Sequence, residues 1–474
     1  MDPIVSVEEM RKIDAEATAD IDRLMDAAGY GVALSAAAMG VGYGSRVVVI
    51  AGRGNNGGDG YVAARYLSRR GATVTVHHLG VPDEGTPAHR AMSSAVAVGV
   101  RVVDIGPPKL CDLVIDAFVG TGFRGDLPDE VAAWTLAASP VLAVDVPSGI
   151  DGDTGLAQDA VFTAQRTATF HRYKTGHLLG NGPDLCGIVD LYDIGLEGGD
   201  PVMYRMSESD VSVPSRPRLA HKWSAGAVAT IGGVPGLTGA ALFSARAAIA
   251  AGAGASVLFT TAATSHEYAS AAPDIPQMQA SETTSWKNHA SEVLSLLGRF
   301  DALVMGPGLE PVATEFVEHI LDGFEGAVVV DAGALNAISR LEVLQRRSAP
   351  TVLTPHAGEF KRLAGADPDP ISARWLADET GTTVLLKGNP TLVVAERTVV
   401  IDAGGSELAT IGTGDVLAGM IAAFIAGGAE ADDAAASAAY LHGVAGSSVA
   451  IRHAVTPQKL IGQVSATVTA YRTG

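Results

Sequence analysis

The chain has 474 residues, enough for two to four domains at roughly 100–200 residues each. Its 33 Lys and Arg stand against 52 Asp and Glu, a formal charge of −19. That balance excludes the basic footprint of a general nucleic-acid or anionic-membrane binder. It leaves room for phosphorylated ligands, because backbone N–H groups at a loop or helix start can hold phosphate in an acidic protein. Apolar residues make up 47%, ordinary for a folded chain. The 56 glycines cluster at the ends of apolar runs, where ligand loops form. Cys111 and Cys186 cannot build a disulfide framework, which suits a reducing compartment. No leader-like segment opens the sequence, and no window reaches ~18 uninterrupted apolar residues. The expectation is a cytoplasmic protein without nucleic-acid or membrane partners.

In chain order, a surface helix is expected near Val7–Ala28. Strands follow at Val47–Ile50, Thr73–His77, Leu113–Asp116 and Val141–Val144, with helices at Asp59–Arg70 and Ala88–Val98 between them. A second series has strands at Ala227–Ile231, Ser256–Thr260, Ala302–Met305, Ala327–Val330, Thr351–Leu353 and Thr383–Leu386. Its helices are Gly239–Ala251, Val312–Leu321 and Gly414–Ala426. Strands alternating with helices predict α/β architecture with parallel sheets covered on both faces. The near-continuous apolar strands agree. Leu196–Arg218 is polar and carries Pro201, Pro214 and Pro217, which reads as a linker. Two α/β domains are expected, 1–207 and 208–474.

Ligands of open α/β sheets bind beyond the carboxyl ends of the strands. At the first such end stands Ala51-Gly-Arg-Gly-Asn-Asn-Gly-Gly-Asp-Gly60. Its glycines admit close backbone approach, and Asn55 and Asn56 add amide oxygens. It is neither a dinucleotide fingerprint nor a Walker loop. Asp116 ends a strand ahead of Gly120-Thr-Gly-Phe-Arg-Gly-Asp126, and Asp145 ends another ahead of Val-Pro-Ser148-Gly-Ile-Asp151. Asp116, an Asn amide and Ser148 would make an oxygen-lined cation site, with Asp145 as a proton carrier.

Together with Lys174-Thr-Gly-His177 and Gly182-Pro-Asp-Leu-Cys-Gly187, these motifs closely resemble the NAD(P)HX epimerase family over about residues 5–200. The resemblance implies a Rossmann-like three-layer α/β/α fold and interconversion of the R and S forms of hydrated NADH and NADPH. It implies potassium held by Asn56, Asp116 and Ser148. The hydrate would lie against Asn55, Asn56, Gly57, Gly58 and Asp59, against Gly120, Thr121, Gly122, Phe123, Arg124, Gly125 and Asp126, and against Asp145.

In the second series, Thr410-Ile-Gly412-Thr-Gly414-Asp415-Val opens a long apolar helix. Its N–H groups and dipole would stabilise charge on a transferring phosphoryl group. Asp415 could take a proton from an attacking hydroxyl. With Thr354-Pro-His356-Ala-Gly-Glu359-Phe, Lys387-Gly388, Gly306-Pro-Gly308 and His221-Lys222, this set looks like the ADP- or ATP-dependent NAD(P)HX dehydratases over about 215–470, a ribokinase-like fold. By that resemblance Ala240, Gly308, His356 and Asp415 would meet the hydrate. Lys387, Gly388, Asn389, Pro390, Thr391 and Gly414 would meet the adenine nucleotide. Bacterial relatives usually spend ADP, giving AMP. Magnesium on the phosphates and assembly as a homo-oligomer are further expectations. Two departures stand out: Trp223 where the family has Gly, and Gly333 where it has a second Asp. A ribokinase-like small-molecule kinase, joined to a non-catalytic N-terminal binding module, is the alternative reading.

Overall fold

The computed structural model describes all residues except 123, 217, 220, 282–284, 288, 310–312 and 474. Three expectations therefore touch residues outside the described set: Phe123 of the second loop, Pro217 of the linker and Val312 of a helix start. Two compact units result: Asp2–Met203, and Tyr204–Gly474 with Met1.

The N-terminal unit is built on a seven-stranded sheet. Its order is Arg101–Asp104, Thr73–His78, Arg46–Ala51, Leu113–Ala117, Val141–Val144, Arg166–Phe170 and Ile188–Tyr192, and every pairing is parallel. Successive side chains of Arg46–Ala51 feed two cores. Val47, Val49 and Ala51 meet Ala28, Val32, Tyr61 and Val62 on one face, while Val48 and Ile50 meet Val131, Trp134 and Phe162 on the other. Each fully buried side chain of this kind contributes about 1.5–3 kcal/mol. The direction of winding reverses between Arg46–Ala51 and Leu113–Ala117, which opens a crevice at their carboxyl ends. Two glycines let the crossing loops meet there. A Cβ on Gly52 would stand 1.9 Å from Phe118 O, and one on Gly57 would stand 2.0 Å from Gly52 O.

The single opening helix is corrected to two, Val7–Glu16 and Ile21–Ala38. Asp20 stops the helical path: its side chain accepts from Asp22 N and starts the second helix. The polar linker is also corrected. It contains a strand, Met203–Arg205, paired through Tyr204 and Arg205 with Val399 and Val400, and a 3-10 turn at Glu208–Asp210. Met203 and Met206 are buried, so apolar anchors hold what the prolines and charges disguise.

In the C-terminal unit the sheet runs Gln277–Ser281, Ala255–Thr261, Ala227–Ile231, Ala302–Met305, Ala327–Val330, Thr351–Leu353, Thr383–Leu386, Thr391–Val394 and Thr398–Ile401. The first seven strands are parallel. The last two add an antiparallel hairpin. The helix Thr413–Ala426 is apolar nearly all round because neighbours cover it nearly all round. Against it lies Thr238–Ala250, so close that a Cβ on Gly419 would meet Ser244 O at 2.1 Å. Alanine at an open helix position gains about 1 kcal/mol over glycine. Gly419→Ala should instead destabilise the unit by about 1–3 kcal/mol through overpacking, read as a lower denaturant midpoint. Among the described residues no helix is long and apolar enough to cross a membrane.

Candidate active sites

A cavity of 790 Å³ lies at the reversal point of the N-terminal unit. Asn55, Asn56 and Asp59 reach it from the start of the Asn55–Arg69 helix. Gly120, Thr121 and Gly122 come from the loop after Leu113–Ala117, and Asp145 from the end of Val141–Val144. Gly57, Gly58, Arg124, Gly125 and Asp126 are not in its wall. Gly58 is packed against Met25, and Arg124 pairs with Asp151 at 2.7 Å.

Asp116 and Ser148 sit beside that wall, both fully buried. Ser148 donates twice, from N to Asp116 Oδ2 and from Oγ to Oδ1, each at 2.6 Å. Ser148 Oγ also accepts from Val119 N at 3.1 Å. Burial pushes the Asp116 carboxyl up to about 6, against the lowering effect of those bonds. Asn56 Nδ2 is buried without a partner among the described residues, and Asn56 Oδ1 lies 3.4 Å from the point a Gly120 Cβ would occupy. The Asp116 carboxylate, the Ser148 hydroxyl and Asn56 Oδ1 are oxygens of the kind a hard cation takes, while Asn56 Nδ2 is a hydrogen-bond donor and would face an acceptor.

Asp145 is the ionised acid of the cavity. Burial would raise its carboxyl, but the Lys174 ammonium, bonded to it at 2.7 Å, more than offsets that and holds it below the ordinary range. Nearby, burial and then the Asp145 charge push Asp59 well above the ordinary range. Burial also raises Asp14, with Lys174 opposing. Arg11, Asp14 and Lys174 line the cavity and were missed as site residues. The helix carrying Arg11 and Asp14 looks like any solvated acidic helix. Lys174 was legible only as part of a motif.

In the C-terminal unit, Gly412 takes φ 93° and caps the Thr413–Ala426 helix. Thr413 Oγ1 shares its one proton between Leu408 O at 2.7 Å and Thr410 O at 2.8 Å, which fixes the loop. Lys387 Nζ lies 3.3 Å from the point a Gly414 Cβ would occupy. It pairs at 2.6 Å with Asp331 Oδ1, which also accepts from Thr354 Oγ1 at 2.8 Å. Asp415 is half-enclosed; burial, then the Asp331 charge, push its carboxyl up to about 7, against the Lys387 charge. Lys387, Gly414 and Asp415 thus stand together. Gly308 meets Ala240 across 3.4 Å to its would-be Cβ. His356 caps the Ala357–Ala364 helix, its Nδ1 accepting from Gly358 N at 3.0 Å. Its side chain is 62% exposed, and its Nε2 lies 3.6 Å from Glu359 Oε1. Gly388, Asn389 and Pro390 form the turn between Thr383–Leu386 and Thr391–Val394, where Thr391 Oγ1 donates to Gly388 O at 3.1 Å.

The departures have structural counterparts. Trp223 stacks edge-on with Phe300 at 6.0 Å and lies under the Arg299 guanidinium at 4.6 Å. A side chain on Gly333 would meet Leu309 O at 2.6 Å, so this loop has no space for a second carboxylate.

Residues 228–466 match the family described as NAD(P)H-hydrate dehydratase, and residues 21–176 match the YjeF-related protein N-terminus. The bifunctional NAD(P)H-hydrate repair enzyme Nnr of Mycobacterium tuberculosis is 38% identical over 454 residues, 91% of this chain and 90% of that protein. The chain belongs to the bifunctional NAD(P)H-hydrate repair enzymes. A second member, from Pyrobaculum aerophilum, is 34% identical over 430 residues, 85% of each chain. A ribokinase-like superfamily protein from Enterococcus faecalis is similar in fold to the C-terminal part. It has a TM-score of 0.52 and 24% identity, over 57% of this chain and 97% of that one.

Proposed function

We propose that the N-terminal unit epimerises R- and S-NAD(P)HX and that the C-terminal unit dehydrates S-NAD(P)HX to NAD(P)H, with ADP giving AMP and phosphate, or with ATP in its place. The observation that carries the dehydratase is the placement of Asp415, its carboxyl pushed up to about 7, beside Lys387 and the Gly412–Gly414 turn. The hydroxyl of the hydrate is a poor leaving group. Asp415 takes its proton, and the oxygen attacks the terminal phosphorus of the nucleotide, displacing AMP from ADP (or ADP from ATP) as the bridging P–O bond breaks. Lys387 and the loop amides stabilise the charge gathering on the phosphoryl oxygens. Phosphate then leaves with the C–O electron pair as the ring nitrogen lone pair moves in. A proton lost from the adjacent ring carbon restores the dihydropyridine. Magnesium, when bound to the nucleotide, would neutralise phosphate charge; its contacts would come through the nucleotide.

For the epimerase, the hydroxyl on the same carbon takes a proton from Asp59, whose buried carboxyl is held well above the ordinary range and is re-protonated from solvent, and leaves as water; the ring nitrogen lone pair gives a planar iminium, and water adds to either face. Asp145, held ionised, takes the proton of the incoming water. Asn56, Asp116 and Ser148 would hold potassium, which would fix the Phe118–Gly120 segment through Ser148 and Val119. A repair role in the cytoplasm and a homo-oligomeric assembly go with this reading. The kinase alternative is not favoured, since the match over 228–466 is to the dehydratases and both units carry intact acid groups.

The test is to incubate purified protein with mixed hydrate epimers and ADP or ATP, and to follow reduced-nicotinamide absorbance. Full recovery supports both activities; recovery of half the hydrate supports the dehydratase alone; no recovery, with a stable phosphorylated product, supports the kinase. In the same assay Lys387→Met should lower kcat/KM for dehydration by about 10–100-fold, mostly in kcat, the worth of one charge-assisted hydrogen bond, and leave epimerisation unchanged.

A further inference from the structure

The Lys174-Thr-Gly-His177 motif enters no step above, yet it surrounds the carboxylate that epimerisation needs. Lys174 Nζ lies 2.7 Å from Asp145 Oδ1 and donates to Thr169 Oγ1 at 2.9 Å and Phe170 O at 3.1 Å. Three acceptors match the three protons of an ammonium. With 2% of its side chain exposed, Lys174 has no donor left for a substrate. Thr169 Oγ1 in turn donates to Asp145 Oδ1 at 3.1 Å. Oδ1 is thereby taken up by two donors.

Oδ2 has a different environment. Among the described residues it accepts only from Thr121 N, at 3.4 Å, and it lies 3.1 Å from the point a Gly120 Cβ would occupy, at the cavity wall. One edge of the carboxylate is thus fixed and the other left open toward the cavity.

His177 holds the backbone of the same residue. Its Nδ1 accepts from Lys174 N at 3.1 Å, so the neutral ring carries its proton on Nε2, which donates to Asp145 O at 2.7 Å. Burial lowers the imidazole to about 4 and keeps it neutral. Asp145 N donates to Ala168 O at 2.7 Å. These bonds hold Asp145 at φ 67°, in the left-handed region that residues other than glycine seldom take.

We propose that Lys174 and His177 are positioning residues of the epimerase: Lys174 occupies Oδ1 so that Oδ2 alone faces the hydrate as a base, and His177 fixes the strained backbone that aims it. This rests on the epimerase reading above. Among the described residues, the charged and titratable groups that line the cavity or feel the Asp145 charge are Arg11 and Asp14 on Val7–Glu16, Arg53 in the loop before Asn55–Arg69, Asp59 on that helix, Lys174 on Tyr173–Lys174, His177 on Thr175–Leu178 and the buried Cys186. Removing Lys174 leaves three carboxyl groups together without their buried cation, and the proton on Asp145 becomes harder to remove.

The test measures epimerisation of separated R- and S-hydrates by the full chain across pH. Lys174→Met should lower kcat by about 10²-fold near neutrality with KM changed less than about threefold. Its acid limb should move up by about one pH unit or more, so that activity partly returns in alkali. His177→Gln keeps an N–H donor and should stay within about fivefold of wild type; His177→Phe, which has no donor, should fall at least about tenfold further. Wild-type kcat and an unmoved acid limb in Lys174→Met overturn the Lys174 assignment. Equal damage in the two His177 variants overturns the His177 assignment, and this pair decides the proposal if Lys174→Met does not fold. A wild-type chain that fails to interconvert the epimers overturns the epimerase reading itself, a result distinct from any variant's failure.

Discussion

Asp415→Asn should abolish most dehydration while epimerisation continues. Loss of a general base costs about 10²–10⁴-fold in rate, and the amide cannot accept the hydroxyl proton. Two pH signatures separate this from a packing defect. With the carboxyl at about 7, wild-type dehydration should rise about tenfold per pH unit below that value and level off above it; the variant's residual rate should be flat. The stability effect has the opposite sense. A carboxyl raised above its unfolded value favours the fold while protonated. That contribution is present below the unfolded value of 3.8 and is lost as pH rises through about 7. Asp415→Asn removes the loss. The variant should therefore melt higher than wild type in mild alkali and equally near pH 4, by thermal unfolding at the two pH values. A variant that dehydrates at near wild-type rate removes Asp415 from the mechanism. One that melts lower at every pH assigns the carboxyl a structural role.

The sheets were legible because parallel strands buried on both faces must read as apolar runs. Val141–Val144, Ala227–Ile231, Ala302–Met305, Ala327–Val330, Thr351–Leu353 and Thr383–Leu386 stand where those runs placed them. Arg166–Phe170 and Ile188–Tyr192, at one edge of the N-terminal sheet, were not. Their Arg, Thr and Asp residues break the run because polar partners meet them: Arg166 pairs with Asp190 at 2.6 Å. The hairpin Thr391–Val394 and Thr398–Ile401 was missed because a crossover pattern gives no reason to expect an antiparallel ending. The site followed the same logic. Asp116, Asp145 and Lys387 stood out because each ends an apolar strand, where doubly wound sheets keep their ligand loops. Asp14 and Arg11 had no such position. Their helix reaches the cavity only because the chain breaks at Asp20 and brings Ala17, Ala19 and Ile21 into the wall. Asp331 did not stand out beside Gly333, the departure two residues on; its grip on Lys387 depends on contacts between distant strands.

Asp145→Asn should slow epimerisation by about 10²–10⁴-fold with little change in hydrate KM, and leave dehydration of the S epimer untouched. The asparagine is the same size, so the outcome turns on charge. Lys174 Nζ needs an acceptor at 2.7 Å, and only the amide oxygen can supply it. That forces the NH₂ group to the position of Oδ2. The hydrate then meets a donor where wild type presents a base: it can still be bound, but its proton has no place to go. The same substitution removes the anion paired with a buried ammonium, a change that costs about 3–5 kcal/mol. The N-terminal unit should melt lower for that reason alone. Asp145→Asn combined with Lys174→Met separates the two effects, since it takes both charges out together. Stability should largely return and epimerisation should not. If the double variant regains its rate along with its melting temperature, the defect was one of folding, and the base must be sought in Asp59 or Asp14.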